Sequence, residues 1–222
     1  MSQPLSIVVA GWPMQAWGQR ALFWPEVGML VIADLHLGKG DVFRRGGIPL
    51  PGGGTAGDLQ RLGQLVEATA ARRLMILGDV LHGALNREAP WLSTWDSWRA
   101  RHATLSVEAV LGNHDRALDA ERLGLHVHGE EHRQADLVFR HEPVASAEGH
   151  VLAGHVHPVR RVRAVGLSAR LPVFWLSPDC SVLPAFSAFT GGFEVRPRPG
   201  DRLLACTGKT VIALPVAGRS NS

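Results

Sequence analysis

The sequence predicts an α/β fold in which two β-sheets pack face to face with helices outside. Its 222 residues are enough for one domain with a substantial core. Apolar strand-like runs alternate with helical segments in the first half, and short β-like pieces dominate after Leu125. A helix-rich half followed by a strand-rich half predicts these layers. We expect a single domain over residues 1–215 and a small polar, disordered tail over residues 216–222.

In the first half, a strand, a potential metal ligand and a helix follow one another repeatedly. Strands are predicted over residues 27–33, 74–77 and 107–111. Helices are predicted over residues 55–72 and 90–102, because their apolar residues recur at helical spacing. Since open α/β sheets bind ligands at the carboxyl ends of their strands, we expect a site where these three strands end.

The second half contains short strands instead of helices. Their apolar runs are bounded by Gly, Pro and polar residues, which is typical of a second sheet. The predicted strands cover residues 137–140, 151–153, 160–165, 172–176 and 182–186, with a hairpin over residues 202–206 and 210–214.

The composition favours a cytoplasmic enzyme over a membrane protein. The sequence contains no apolar run of transmembrane length and no signal-peptide pattern, so no membrane partner is expected. Cys180 and Cys206 form no CxxC pair, and we expect reduced thiols. Of the 23 basic residues, 21 are arginines, which bind phosphate in a bidentate manner. Genome base composition alone can also favour arginine, and the formal net charge of +3 is small.

Short polar motifs follow the apolar runs and carry the chemistry. They are Asp34-Leu35-His36, Gly78-Asp79, Gly112-Asn113-His114-Asp115, His141 and Gly154-His155-Val156-His157. Together they supply carboxylate, amide and imidazole ligands, a mixture that suits Mn, Fe, Zn or Mg. Two such cations about 3.5–4 Å apart can hold a phosphate, generate hydroxide at neutral pH and stabilise an in-line displacement. Each motif alone is common, and their order makes the pattern specific.

The spacing within the motifs favours a shared site. Asp34 and His36 are expected on the same side of an extended segment, since alternate residues of a strand share a face, and the same holds for His155 and His157. The carboxylate of Asp79 lies between the two groups in sequence and can bridge two cations.

The order of these motifs resembles the calcineurin-like metallophosphoesterase superfamily over roughly residues 28–158. The resemblance implies a four-layer α/β/β/α sandwich of two mixed sheets, with a dinuclear metal centre between them. It also implies a role for each motif residue. The first metal takes Asp34, His36 and His157, the second takes Asn113, His141 and His155, Asp79 bridges them, and His114 donates a proton to the leaving group or stabilises it.

Other segments resemble one bacterial subfamily, the ligase-associated DNA-damage-response endonucleases. These segments are residues 33–39, 43–51 and 183–192. The resemblance implies a phosphodiesterase that prefers Mn and acts on DNA, with a DNA ligase and a helicase as partners. Arg44 and Arg45 lie in the second segment and are candidate contacts to the DNA backbone. A solvated charge pair is the alternative.

One position departs from the superfamily's phosphoprotein phosphatases. In those enzymes a second Asp, three residues after the Asp of Gly-Asp, orients the catalytic histidine. His82 occupies the matching position here and is a candidate substrate contact. Asp115 could orient His114, or it could cap the next helix.

The sequence therefore predicts a phosphoesterase with two divalent metal ions. The favoured substrate is a phosphodiester in DNA, in a repair context, and Mn is the expected metal, with Fe, Zn and Mg as alternatives. A small-molecule phosphatase or nucleotide hydrolase is the first alternative, because the net charge is modest and no nucleic-acid recognition motif is evident. An inactive metal-binding scaffold is the second, and the full set of expected ligands with His114 disfavours it.

Overall fold

The chain forms two mixed β-sheets that pack face to face, which confirms the predicted fold class. The computed structural model describes residues 3–40, 54–83, 88–164, 167–188 and 190–216. Arg44, Arg45 and most of the proposed tail, residues 217–222, lie outside these ranges.

The first sheet contains seven strands in the order of the sequence. They are β1 (Leu5–Val9), β2 (Trp12–Trp17), β3 (Ala21–Trp24), β4 (Met29–Ala33), β5 (Arg73–Leu77), β6 (Ser106–Val110) and β7 (His126–Val127). Strands β1 to β4 are antiparallel to their neighbours, whereas β4 to β7 run parallel. The parallel half places the carboxyl ends of β4, β5 and β6 side by side, as the sequence predicts.

The second sheet contains nine strands, most of them short. They are β8 (Glu131–Gln134), β9 (Leu137–Arg140), β10 (His150–Ala153), β11 (Pro158–Ala164), β12 (Leu167–Leu176), β13 (Cys180–Val182), β14 (Phe193–Glu194), β15 (Arg202–Cys206) and β16 (Val211–Leu214). Strands β9, β10 and β13 are mutually parallel. The long strand β12 pairs with β11 over its first part and with β15 over its second.

The strand predicted over residues 182–186 is wrong beyond Val182. Pro184 has no N–H to donate to a sheet ladder, and the chain there crosses from one sheet to the other. The amide of Leu183 donates to Ala153 at the end of β10, and the amide of Phe186 donates to Ala33 at the end of β4, at 2.8 and 2.7 Å. We call residues 183–188 the crossing segment.

Two helices cover the outer face of the first sheet. Helix α1 spans Thr55–Thr69 and helix α2 spans Trp91–Arg101, and a short third helix, α3, spans Ala120–Leu123. Helix α1 ends before residue 72 because Ala70 adopts a left-handed conformation with φ of 50°. Beyond Leu123, the described residues form no helix.

Apolar side chains fill both faces of the first sheet. Helices α1 and α2 bury Leu62, Trp95 and their neighbours against one face. The other face meets the second sheet through residues such as Phe139 and Phe174. Each fully buried side chain of this size contributes about 1.5–3 kcal/mol, so the two layers hold the strand ends in place. Neither cysteine forms a disulfide. Within the described ranges, every helix is too short or too polar to cross a lipid bilayer.

Candidate metal centre

The predicted ligand residues converge at the carboxyl ends of five strands from both sheets. Asp34 directly follows β4, Asp79 lies just beyond β5, and Asn113 lies just beyond β6. From the second sheet, His141 directly follows β9, and His155 lies in the turn between β10 and β11. The site therefore lies between the sheets at one end of the sandwich.

Five of these residues have a left-handed backbone. Their φ angles are 54° for Asp34, 48° for His36, 48° for Asp79, 67° for His155 and 50° for His157. Each such residue costs about 1–3 kcal/mol and persists only where its surroundings enforce it. The expectation of extended segments is thus wrong: turns, not alternation along a strand, bring each pair of ligands together.

Two motif glycines permit the close approach of neighbouring strand ends. A Cβ atom at Gly78 would overlap the imidazole of His141, and one at Gly112 would overlap the backbone nitrogen and the carboxylate of Asp79. Gly78 therefore makes room for the side chain of His141, and Gly112 makes room for Asp79.

The side chains of Asp34, His36, Asp79 and His157 form one compact group. Their potential ligand atoms all lie within 4.8 Å of one another. Nε2 of His157 is 3.4 Å from Oδ1 of Asp34, and Nε2 of His36 is 3.9 Å from Oδ2 of Asp79. Asp34 and Asp79 are almost completely buried. Buried carboxylates are costly unless a positive charge compensates them, and a divalent cation in this group would do so.

His36 fits a metal ligand particularly well. The residue is 4% exposed, and both of its ring nitrogens are buried without a hydrogen-bond partner among the described residues. Burial, followed by the charge of Lys39, lowers the pKa of His36 to about 2. The imidazole is therefore neutral at physiological pH and keeps the lone pair that a metal ion requires.

A second group forms around His141 and His155. Nδ1 of His141 donates to the carbonyl of Leu77 at 3.0 Å, which leaves Nε2 of the neutral ring with its lone pair. This Nε2 atom lies 3.0 Å from Nδ1 of His155 and 3.5 Å from Oδ1 of Asp79. Neighbouring ligands of a six-coordinate cation with bonds near 2.1 Å are about 3 Å apart. Asp79 thus contacts both groups.

Asn113 lies at the exposed edge of this second group. Its amide nitrogen donates to Oε1 of Glu142 at 3.5 Å, so its oxygen can face elsewhere. Together with His141 and Glu142 it lines an open cleft with a volume of about 650 Å³. The cleft gives a substrate access to the strand ends.

The side chains of His114 and His82 complete the rim of the site. The backbone amide of His114 donates to Oδ1 of Asp79 at 3.0 Å, and its ring is half exposed. The rings of His82 and His114 stack at 5.9 Å, and both approach the ring of His36. Burial, then the charges of Lys39 and His114, lower the pKa of His82. The structure thus places His82 beside His114, where a substrate could meet it.

Asp115 joins two of the loops that carry the predicted ligands. Its buried carboxylate accepts hydrogen bonds from the amides of Val80, Leu81 and Gly112, at 3.2, 3.0 and 2.9 Å. The N-cap of α3 is a different residue, Asp119, whose side chain accepts from the amide of Arg122. Asp115 therefore ties the loop after β5 to the loop after β6 and does not cap α3.

Long-range contacts that local sequence patterns do not reveal hold the crossing segment beside Asp34. Arg20 donates to the carbonyls of Ala185 and Ser187 at 3.2 and 2.9 Å. Arg61 donates to the carbonyl of Phe186 and pairs with Asp58 at 2.9 Å. The amide of Ser187 in turn donates to the carbonyl of Asp34. Apart from the Arg61–Asp58 pair, these partners lie more than 120 residues apart, so no local pattern could have revealed them.

A second cluster of metal-ligand residue types lies away from the strand ends. Potential ligand atoms of Glu108, His128 and His132 lie within 4.8 Å of one another. However, Arg73 makes two hydrogen bonds to the carboxylate of Glu108, at 2.6 and 2.9 Å, and already neutralises it. This cluster is therefore explained as a partly buried network in which Arg73 and His128 contact the carboxylate of Glu108.

Two mixed sheets with carboxylate, amide and imidazole groups gathered at their strand ends define a metal-dependent phosphoesterase. Residues 29–189 match the calcineurin-like phosphoesterase family, and the chain belongs to this family. Among solved structures, the chain is similar to the nuclease MPE of Pseudomonas putida, with 34% sequence identity and a TM-score of 0.83. The alignment covers 96% of this chain and 100% of that chain. No curated protein matches the chain.

Proposed function

We propose that the chain is a Mn-dependent phosphodiesterase that cleaves DNA. The convergence of two ligand groups on Asp79, each rich in buried or closely spaced imidazoles, carries the proposal. The similarity to a nuclease over nearly the whole chain supports a phosphodiester substrate. The resemblance of residues 33–39, 43–51 and 183–192 to the ligase-associated endonucleases extends the proposal to DNA repair beside a ligase and a helicase in the cytoplasm.

We assign the ligands in two half-sites. One half-site consists of Asp34, His36 and His157, the other of Asn113, His141 and His155, and Asp79 belongs to both. When bound, two divalent cations polarise the phosphate and lower the pKa of water. A mixed oxygen and nitrogen ligand set suits Mn, and Fe, Zn and Mg are the alternatives.

The chain's own side chains provide the remaining chemistry. His114 is anchored through its backbone to Asp79, while its half-exposed ring places Nε2 4.0 Å from the carboxylate of Asp79. In that position the ring can donate a proton to the oxygen that leaves phosphorus, a step worth about 10²–10⁴-fold in rate. His82, stacked on His114, limits the orientations of that ring and is placed to contact the substrate.

The bridging assignment can be tested by metal analysis. Asp79→Asn should lose far more bound Mn than Asn113→Ala, because it weakens both half-sites. Retention of two full equivalents by the Asp79 variant would contradict the assignment.

A substrate panel tests the function itself. The Mn-loaded enzyme should hydrolyse an aryl phosphodiester and cleave single-stranded or nicked DNA, and it should act only weakly on an aryl phosphomonoester. Rapid hydrolysis of the monoester with every DNA substrate left intact would instead establish a small-molecule phosphatase. Stoichiometric metal without hydrolysis of any ester would establish an inactive scaffold.

A further inference from the structure

The strand that leaves the metal centre carries exposed arginines. Strand β11 begins directly after His157, and it pairs with β12 in an antiparallel hairpin. Arg161 stands opposite Arg170 in this register, and Arg163 lies two residues further along β11. All three arginines are exposed.

These arginines share one face of the hairpin. Alternate residues of a strand share a face, so Arg170 lies on the same side of β12 as Phe174, which faces the first sheet in the core. Arg161 is on that side too, because it is the register partner of Arg170. The three arginines therefore lie on the face of the hairpin that continues the inter-sheet side of the sandwich beyond the strand ends of the metal centre.

Arg161 and Arg170 place like charges directly opposite each other in the hairpin. Like charges directly opposite each other destabilise a sheet. No carboxylate of the described residues lies within 4.0 Å of either guanidinium. Glu194 accepts a hydrogen bond from the backbone amide of Arg161 at 3.3 Å, and the guanidinium of Arg170 donates to the carbonyl of Gly192 at 2.7 Å.

Two exposed arginines elsewhere in the fold are, in contrast, neutralised by carboxylates. Arg122 pairs with Asp96 through two hydrogen bonds of 2.8 Å. Arg133 pairs with Glu131 at 2.7 Å and with Glu148 at 3.0 Å. Unlike Arg122 and Arg133, Arg161 and Arg170 therefore face each other, on the hairpin that leaves the centre, without a carboxylate partner for either guanidinium among the described residues.

We propose that Arg161, Arg163 and Arg170 bind the phosphate backbone of a nucleic-acid strand that flanks the bond to be cleaved. At about 3.3 Å per residue, Arg161 and Arg163 lie about 13–20 Å along the strand from His157. That distance corresponds to about four to six nucleotides of one strand, each rising about 3.4 Å. This inference rests on the proposed function and names the path of its substrate.

The test compares two double variants with the same change in charge. Arg161→Gln with Arg170→Gln removes the cross-strand pair. The control combines Arg72→Gln with Arg101→Gln. Both arginines are exposed; Arg72 directly precedes β5 and Arg101 is the last residue of α2, at the opposite end of the strands from the centre. The assay uses the Mn-loaded enzymes and measures how strongly a DNA oligonucleotide inhibits hydrolysis of an aryl phosphodiester, at several salt concentrations.

We expect the hairpin variant to raise the inhibition constant of DNA by about tenfold or more relative to the control. Its dependence on log salt should flatten by about 1.4–1.8 units, since each lost phosphate contact removes about 0.7–0.9. Equal inhibition constants and salt slopes in the two variants would overturn the inference while leaving the nuclease proposal intact. An equal loss in DNA binding and in hydrolysis of the small diester would also overturn it. A wild-type enzyme that neither cleaves nor binds DNA would refute the proposed function itself.

Discussion

Replacement of Asp115 by Asn should destabilise the protein strongly, although the two side chains have nearly the same shape. The carboxylate is 4% exposed and accepts three backbone amides through its two oxygens. An amide side chain keeps one oxygen and turns an NH₂ group toward donors, so it leaves up to two of these amides unsatisfied. Each buried unsatisfied group costs about 1–3 kcal/mol, and we expect a loss of about 3 kcal/mol.

Urea denaturation measures this loss directly, provided that the slope of the transition stays unchanged. In thermal denaturation the same loss should lower the midpoint by about 6–12 °C for a chain of this size. Asp119→Asn is the matched control, because the side chain of Asp119 accepts the amide of Arg122 at a helix N-terminus, where Asn caps as well as Asp does. The free energy of unfolding of Asp119→Asn should stay within about 0.5 kcal/mol of the wild-type value.

The result also separates two roles for Asp115. If the residue ties the two loops together, Asp115→Asn should lose stability and Mn affinity together. A variant with wild-type stability, and with a rate loss confined to esters with poor leaving groups, would refute this reasoning and would show that Asp115 orients His114.

Three further predictions concern the same strand ends and the network below them. His114→Ala should keep both metals and lose turnover, by about 10²–10⁴-fold for an alkyl ester but much less for a nitrophenyl ester; an equal loss for both would exclude proton donation. Gly112→Ala should lower stability by about 1–3 kcal/mol and weaken Mn binding, because its Cβ overlaps Asp79, whereas Gly83→Ala, with open space around it, should do neither. Burial alone would raise the pKa of Glu108, but hydrogen bonds from Arg73 and His128 lower it from 4.5 to about 2. The stability that depends on the ionised carboxylate is thus complete above pH 4.5 and is lost as the pH falls toward 2. Relative to Glu108→Gln, the wild type should lose about 2 kcal/mol of unfolding free energy between pH 6 and pH 3. If the difference in urea midpoint between the two proteins is the same at both pH values, the shifted pKa is contradicted.

The order of the motifs was enough to predict the fold class and to predict that the candidate ligand residues lie together at the strand ends. Each buried parallel strand has a continuous apolar run, and its ligand follows at the carboxyl end, so β4, β5 and β6 could be read directly from the sequence. Strands β1 to β3 were harder to predict, because Pro13 and the polar Gln15 interrupt the apolar pattern of β2. The roles of individual ligands, and the single domain over residues 1–215, stay predictions.

Other features of the site depend on contacts that no local pattern encodes. The left-handed backbone at His155 arises where its amide donates to both oxygens of Asp34, more than 120 residues away. The tie made by Asp115 spans 35 residues, and its carboxylate looks like a helix cap in the sequence alone. Arg20 has no neighbouring partner that would reveal its contact with Ser187.

The crossing segment sets the distance between the two halves of the centre. It is joined by backbone hydrogen bonds to the end of β10 on one side and to the end of β4 on the other. Side-chain changes in the core could therefore tilt or loosen the sheets elsewhere while these two strand ends keep their spacing. The spacing of the strand ends that carry Asp34 and His155 therefore rests on main-chain hydrogen bonds and not on the choice of core side chains. A designer could thus repack the core without resetting the distance between these two strand ends.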